Sequence, residues 1–340
     1  MYKLLTILIG ILVFNSCNNN PVTPDPLQPG RRDYVWRVDT LYLPFNPFTD
    51  ITGTAPNDVW VCSPGDAEKI FYHFDGQTWK NDQVWRTFSP LSISSVNKNA
   101  VWSCGFDGKI WYFNGNNWAE HYKFPTAVDT SIILQEMMTI SNSDVYAVGQ
   151  YYLGAADYWG LILFFDGNSW KKKLIPKTRV LFSGIQRSSN GRVYLLGLTQ
   201  QAANESNYQF YEFKDNDLKE KYSGSQSTNE VNGRLLQLGQ KTYFIIGYDF
   251  YSYNGSSFKK IGRLSDDPKF MNAGIGRNEK DIFLGMRDGI AHYNGENTVY
   301  LYQTFGNVFV RKGIVFEKDV FFLGRDVNGN NFIFHGTLKE

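Results

Sequence analysis

DVWVCSPGDAEKIFYHFDGQTW, residues Asp58 to Trp79, carries two short β-branched and aromatic runs, Val59-Trp60-Val61-Cys62 and Ile70-Phe71-Tyr72-His73-Phe74, parted by the turn formers Ser63-Pro64-Gly65-Asp66. That is a hairpin. Asp75-Gly76 supplies a second tight turn, because glycine accepts positive φ without steric cost, and Trp79 opens a further strand. Ile51-Thr52-Gly53-Thr54, ahead of the loop Ala55-Pro56-Asn57, reads as another, which completes a four-stranded antiparallel unit. One such unit cannot bury its apolar faces alone.

The unit returns along the chain. Its second strand recurs at Val101-Trp102-Ser103-Cys104, Val145-Tyr146-Ala147-Val148, Val193-Tyr194-Leu195-Leu196, Tyr243-Phe244-Ile245-Ile246, Ile282-Phe283-Leu284 and Val320-Phe321-Phe322-Leu323, at spacings of roughly 38 to 50 residues. The later turn recurs as Asn114-Gly115, Asp166-Gly167, Asp215-Asn216, Asn254-Gly255, Asn294-Gly295 and His335-Gly336. The last copy stops at Glu340 with no room for an outermost strand, while Tyr34-Val35-Trp36-Arg37-Val38 stands alone before the first. The pattern predicts an all-β, seven-bladed β-propeller of four-stranded antiparallel blades over residues 31–340. Its last blade is closed by Tyr34 to Val38 beside Asn331 to His335, which removes the exposed sheet edges.

Composition points the same way: 16% aromatic residues with 42% apolar residues suit sheets packed through large rings. Thirty-four basic against 33 acidic residues give a net charge of +1, so there is no basic footprint for nucleic acid.

Residues 1–17 carry Lys3, an apolar run from Leu4 to Phe14, and Asn15-Ser16-Cys17. The run is too short to span a bilayer and has the form of a secretory signal core. Its place just ahead of Cys17 resembles a bacterial lipoprotein signal, which implies lipidation of Cys17 and a lipid-anchored protein of the cell envelope, most simply at the outer membrane, with its side left open. Residues 18–30, NNNPVTPDPLQPG, read as a disordered, proline-rich tether.

The repeats DVWVCS…FYHFDGQTW, AVWSCGFDGKIWYFNGNNW and DVYAVG…LILFFDGNSW resemble those of secreted bacterial β-propellers in the kelch and galactose-oxidase-like superfamily. The resemblance covers Tyr34 to Glu340 and implies a fold rather than an activity, since propellers host enzymes, glycan binders and docking scaffolds alike. Kelch glycine doublets are absent, and Phe74 stands where the aspartate of a sialidase Asp-box belongs.

Chemistry-bearing constellations are thin. Cys62 and Cys104 share a column with Val148, Leu196, Ile246, Leu284 and Leu323 and read as core filler, neither bridged nor metal-binding. His73 and His292 share another column and read as strand residues bonded to neighbouring blades. Asp50, Ser92, Glu136, Gly184, Arg234 and Lys312, near the heads of the innermost strands, share no chemistry and are expected to form no charged ring. No metal or other cofactor is implied.

Two interruptions stand out. The third copy inserts Gln150 to Gly160 and the fourth Leu198 to Gln209, on adjacent blades. Together they offer Tyr151, Tyr152, Asp157, Tyr158, Trp159, Asn204, Glu205, Asn207 and Tyr208 as a candidate binding surface, because flat rings beside amides and carboxylates suit a sugar or a peptide. The alternative is that these rings pack on each other and stiffen the rim. The function expected is therefore a non-catalytic binding or docking scaffold for a glycan, a peptide or another envelope protein. The competing expectation is an envelope hydrolase or lyase with its site at the central channel, which needs converging carboxylates or a carboxylate with His or Tyr.

Overall fold

The computed structural model describes residues 27–340 except 42, 44–45, 66–67, 126–129, 155–156, 176–178, 203–204, 228–232, 305 and 307; Cys17 and most of the tether lie outside the described residues. No helix occurs among them.

The strands follow one another in sets of four. Asp50–Ala55, Asp58–Cys62, Phe71–Phe74 and Trp79–Lys80 form the first antiparallel sheet, and Pro90–Asn97, Ala100–Gly105, Lys109–Phe113 and Trp118–Lys123 the second. Ser131–Ser141 to Trp170–Ile175 and Leu181–Arg187 to Asp217–Ser227 repeat the arrangement. Arg234–Leu238 to Phe258–Arg263 and Phe270–Asn278 to Thr298–Gln303 do so again, joined into one eight-stranded sheet by a single parallel pair, Leu238 with Gly276. The last sheet runs Val308–Val315, Asp319–Asp326, Asn331–Leu338 and then Tyr34–Leu41, from the other end of the chain. The closing ladder is antiparallel, from Tyr34 opposite Leu338 to Leu41 opposite Asn331, so it extends beyond the five residues expected at each side.

Within each set the first strand lies innermost, and neighbouring first strands are stitched by hydroxyls. The Thr52 and Ser95 hydroxyls lie 2.9 Å apart and those of Ser94 and Thr139 2.8 Å, and each pair also accepts a backbone N–H from the next strand. Antiparallel order fixes two faces. First strands begin on the face where second and third strands turn into each other, called upper below; first and second strands turn into each other on the lower face.

The turn chemistry read from the sequence is realised side chain by side chain. The oxygens of Asp75, Asn114, Asp166, Asn254 and Asn294 each accept the two backbone N–H groups that follow the turn glycine. Gly76 takes φ of 95°, and a Cβ there would meet that of Asn57. The Trp that follows packs between sheets: Trp118 stacks on Phe71 of the preceding sheet at 3.9 Å between ring centroids, and Trp79 Nε1 donates to Asp39 of the closing strand at 3.1 Å. Cys62 and Cys104 are free and fully buried.

The histidines correct one expectation. Three of them bond across their own sheet, His73 Nε2 meeting Asp58 Oδ1 at 2.8 Å, His292 meeting Asp281 at 2.8 Å and His335 meeting Asp319 at 2.7 Å, and of these His292 also accepts from Arg32, ahead of the closing strand. The reason is register, since the aspartate opening the second strand and the histidine near the end of the third meet at the lower face. His121 alone reaches another sheet, accepting from Trp170 Nε1 at 3.1 Å.

The lower face is also where the chain enters. Gly30 N–H donates to Lys280 O at 2.7 Å, and its α-carbon lies so close to Asp281 that a Cβ would stand 2.5 Å from the carboxylate. Arg32 donates to His292 Nδ1 at 3.2 Å and to Asn297 O at 2.6 Å, while Arg277 ties Asp281 to the Tyr34 hydroxyl at 2.8 and 3.1 Å. Gly30, the last residue of the expected tether, is thus strapped to the sheet beside the closing one.

Candidate functional site

The innermost strands do not run straight. Ladder register shifts between Pro90 and Ser92, Leu134 and Glu136, Phe182 and Gly184, and Val310 and Lys312, at equivalent heights in their sheets. A β-bulge adds one residue and re-aims the side chains beside it. Here the bulges bring Ser92, Glu136 and Lys312 together with Asp50 in the channel, and the expectation that these positions form no charged ring is overturned.

Lys312 Nζ lies 2.9 Å from Asp50 Oδ1 and 3.2 and 2.9 Å from the two Glu136 oxygens. Asp50 Oδ2 accepts the Ser92 hydroxyl at 2.5 Å and Ile93 N–H at 3.0 Å, and Ser92 Oγ accepts Met137 N–H at 3.0 Å. First, second, third and last sheets are thereby tied at one height. Burial pushes the Glu136 carboxyl up to about 7 against the pull of Lys312. Burial alone would lower the Lys312 ammonium, but Asp50 and Glu136 outweigh it and hold the group well above its usual value.

Two cavities meet at this network. The lower one, about 700 Å³, is lined by polar side chains such as Thr52, Ser94, Thr139, Gln237 and Gln240. The upper one, about 710 Å³, adds Arg234, Arg311 and Lys312 to walls of Leu196, Leu198, Leu235, Met271 and Ile275. Sequence reasoning missed the site because it looked for one repeated residue type per strand, whereas the channel carries complementary charges, one or two to a strand. The signal was present in Arg311-Lys312, adjacent cations inside an apolar run that alternation alone would have pointed apart.

The two insertions prove to be longer hairpins rather than added loops. Tyr151 pairs with Trp159 and Tyr152 with Tyr158 as the third sheet's middle strands continue upward, and in the fourth sheet the ladder runs on to Ala202 opposite Glu205. Tyr151 packs against Phe124 at 5.9 Å and Trp159 at 6.4 Å, and Tyr152 against Tyr158 at 5.7 Å. Asp157 lies 3.7 Å from Arg179. Tyr208 is buried, its ring filling the space above Gly224 and Gly233. Asn207 is half-buried in its strand, Asn204 lies outside the described residues, and Glu205 is described in its backbone only. Leu198, the first residue of the second insertion, does line the upper cavity.

These contacts make the rings part of the rim packing. Tyr151→Ala with Trp159→Ala is expected to lower the melting temperature by several degrees, as loss of packed aromatic area does, with ligand binding at the channel unchanged. Differential scanning fluorimetry and a binding titration on the same variant check it; an unshifted melting temperature with lost binding would return the site to the hairpins.

No protein-family model matches the chain, and no curated protein matches it in sequence. Solved structures do. YCF48 bound to D1 peptide aligns over 94% of this chain and 100% of its own with a TM-score of 0.61 at 14% identity. A streptogramin B lyase aligns over 89% and 98% with a TM-score of 0.64 at 13% identity. A catalytically inactive virginiamycin B lyase from Staphylococcus aureus, solved with quinupristin, aligns over 90% and 100% with a TM-score of 0.61 at 11% identity. The fold is a β-propeller. At such identities the likeness speaks to fold and to nothing finer.

Proposed function

We propose that this chain is a seven-bladed β-propeller serving as a non-catalytic binding scaffold of the bacterial cell envelope, taking a peptide segment of a partner protein at its upper face. The observation that carries the reading is a set of exposed apolar side chains on that face, five of the ten large ones exposed among the described residues. Val84, Trp85, Phe106, Leu153 and Val327, exposed by 49, 64, 38, 39 and 69%, sit on loops and turns of the upper face. Trp85 is held out deliberately: Arg86 beneath it is buried, pairs with Asp82 at 2.5 Å and donates to Val84 O at 3.0 Å, so the loop is fixed with its apolar tip outward. Apolar rings around a polar cavity suit a partner that buries both. That YCF48 is solved with a peptide supports the reading, because the same architecture can serve a peptide ligand.

Binding of the full chain to an array of short peptides tests it. Trp85→Ser with Phe106→Ser should weaken the bound peptides about tenfold without moving the melting temperature, as both side chains are exposed. An array on which the wild type binds no peptide would sink the reading.

A channel-sited hydrolase or lyase is the second reading, favoured by Glu136, since a carboxyl titrating near 7 suits proton transfer. Against it, both Glu136 oxygens lie within 3.2 Å of the Lys312 ammonium, leaving neither aimed at a substrate.

We further propose that Cys17 carries the lipid that fixes the protein to its membrane, the surrounding residues having the pattern of a lipoprotein signal. Cys17→Ala should move the protein from the membrane to the soluble fraction; a variant that still sediments with membranes would show that the anchor is something else.

A further inference from the structure

The upper cavity carries three cationic side chains, Arg234, Arg311 and Lys312, against two carboxylates, Asp50 and Glu136. Lys312 spends its charge on both carboxylates. Among the described residues neither arginine forms an ion pair, and the nearest polar contact of Arg234 is a long one, 3.4 Å from Nη1 to Gly233 O. Burial lowers the Arg234 guanidinium; the Glu136 charge opposes this without pairing with it, and the neighbouring Arg311 adds to the lowering, so two like charges face one space. Their position follows from the backbone: Arg234 heads its strand and Arg311 is the additional residue of the bulge before Lys312. A guanidinium drawn out of water without an ion pair, as that of Arg234 is, is costly unless something anionic completes it, and the exposed Arg311 borders the same space.

We propose that Arg234 and Arg311 form a carboxylate-binding site at the channel mouth that holds an acidic group of the peptide ligand. The inference rests on the peptide-binding reading and names what the peptide must present. Arg311 also borders a second cavity of about 300 Å³ whose lining mixes Phe48, Phe309 and Val327 with Arg325, Asp326 and Asn331, so a residue neighbouring the acidic group has room there for an amphipathic side chain. A uronate sugar would offer the same carboxylate, but the upper cavity presents leucine, methionine and isoleucine and its lining ring, Phe322, is fully buried, so no ring face is left for a sugar to stack on.

The test uses the full chain and paired peptides from the array: Asp or Glu against Asn or Gln, and free against amidated C-termini. Fluorescence anisotropy should show a loss of roughly ten- to a hundredfold when the acidic group is neutralised, the range for a charge-assisted hydrogen bond. The two peptide series tell a side-chain carboxylate from a terminal one. Arg311→Gln, at an exposed position, should give the same loss and abolish the difference between acidic and neutral peptides, with Arg311→Lys keeping part of it. Acidic and neutral peptides bound equally by the wild type, or unchanged affinity in Arg311→Gln, would overturn the site while leaving peptide binding intact. If no peptide binds, titration with an oligo-uronate decides: sensitivity to Arg311→Gln keeps the carboxylate site and discards the peptide, and insensitivity discards both.

Discussion

Lys312→Met is expected to destabilise the protein by about 3 kcal/mol, the low end for breaking a buried ion pair, because the Lys312 side chain is 36% exposed to channel water. The loss arises from what remains. Asp50, 7% exposed, and Glu136, 22% exposed, would face each other without their shared ammonium, and methionine supplies no donor. The effect should depend on pH. In the wild type, burial raises the Glu136 carboxyl from 4.5 to about 7, so the stability this group contributes is complete below its ordinary value and fades as pH rises through about 7. Without Lys312 its ionisation becomes costlier still, so the variant should suffer more at about pH 8 than at about pH 5, where protonation relieves the repulsion. Urea denaturation at both values measures this, and equal losses would contradict it. Adding Asp50→Asn and Glu136→Gln to Lys312→Met should recover most of the stability, since the uncompensated carboxylates are then gone.

Deleting residues 31–43 should leave no soluble monomer at all. Only one strand is lost, but the eight-residue ladder from Tyr34–Leu338 to Leu41–Asn331 joins the two ends of the ring. Its removal also takes away Arg32 from His292, Tyr34 from Arg277 and Asp39 from Trp79. The edge of Asn331–Leu338 is then open to pairing with other chains. A synthetic peptide of residues 31–43 added during refolding should restore the monomer by strand addition, which size-exclusion chromatography would report. A monomeric truncated protein without the peptide would mean that the ring does not depend on this closure.

The sheets, their turns and the closing strand were legible because each rests on local chemistry repeated along the chain. Asp75-Gly76 states its turn through an oxygen that accepts two N–H groups and a glycine at positive φ, and the same pair returns at Asp166-Gly167. The channel was not legible. Asp50, Glu136 and Lys312 are far apart in sequence, and Glu136 and Lys312 reach Asp50 where bulges re-aim them, and a bulge leaves no trace beyond one residue out of alternation. The hairpins at 150–160 and 198–209 misled for the opposite reason. Their aromatic content marks unusual residues, but register pairs Tyr151 with Trp159 and Tyr152 with Tyr158 and buries Tyr208, so these rings pack against their own sheets, four of them remaining half-buried.

The strap at Gly30 sets a direction as well as a contact. Gly30 is bonded to Lys280, in a turn of the lower face, so the chain joins the ring on the side away from the mouth that Arg234 and Arg311 line. A lipid on Cys17, as proposed above, would hold the ring like a dish on its mast, from the side away from Arg234 and Arg311, and would leave their cavity open to a ligand.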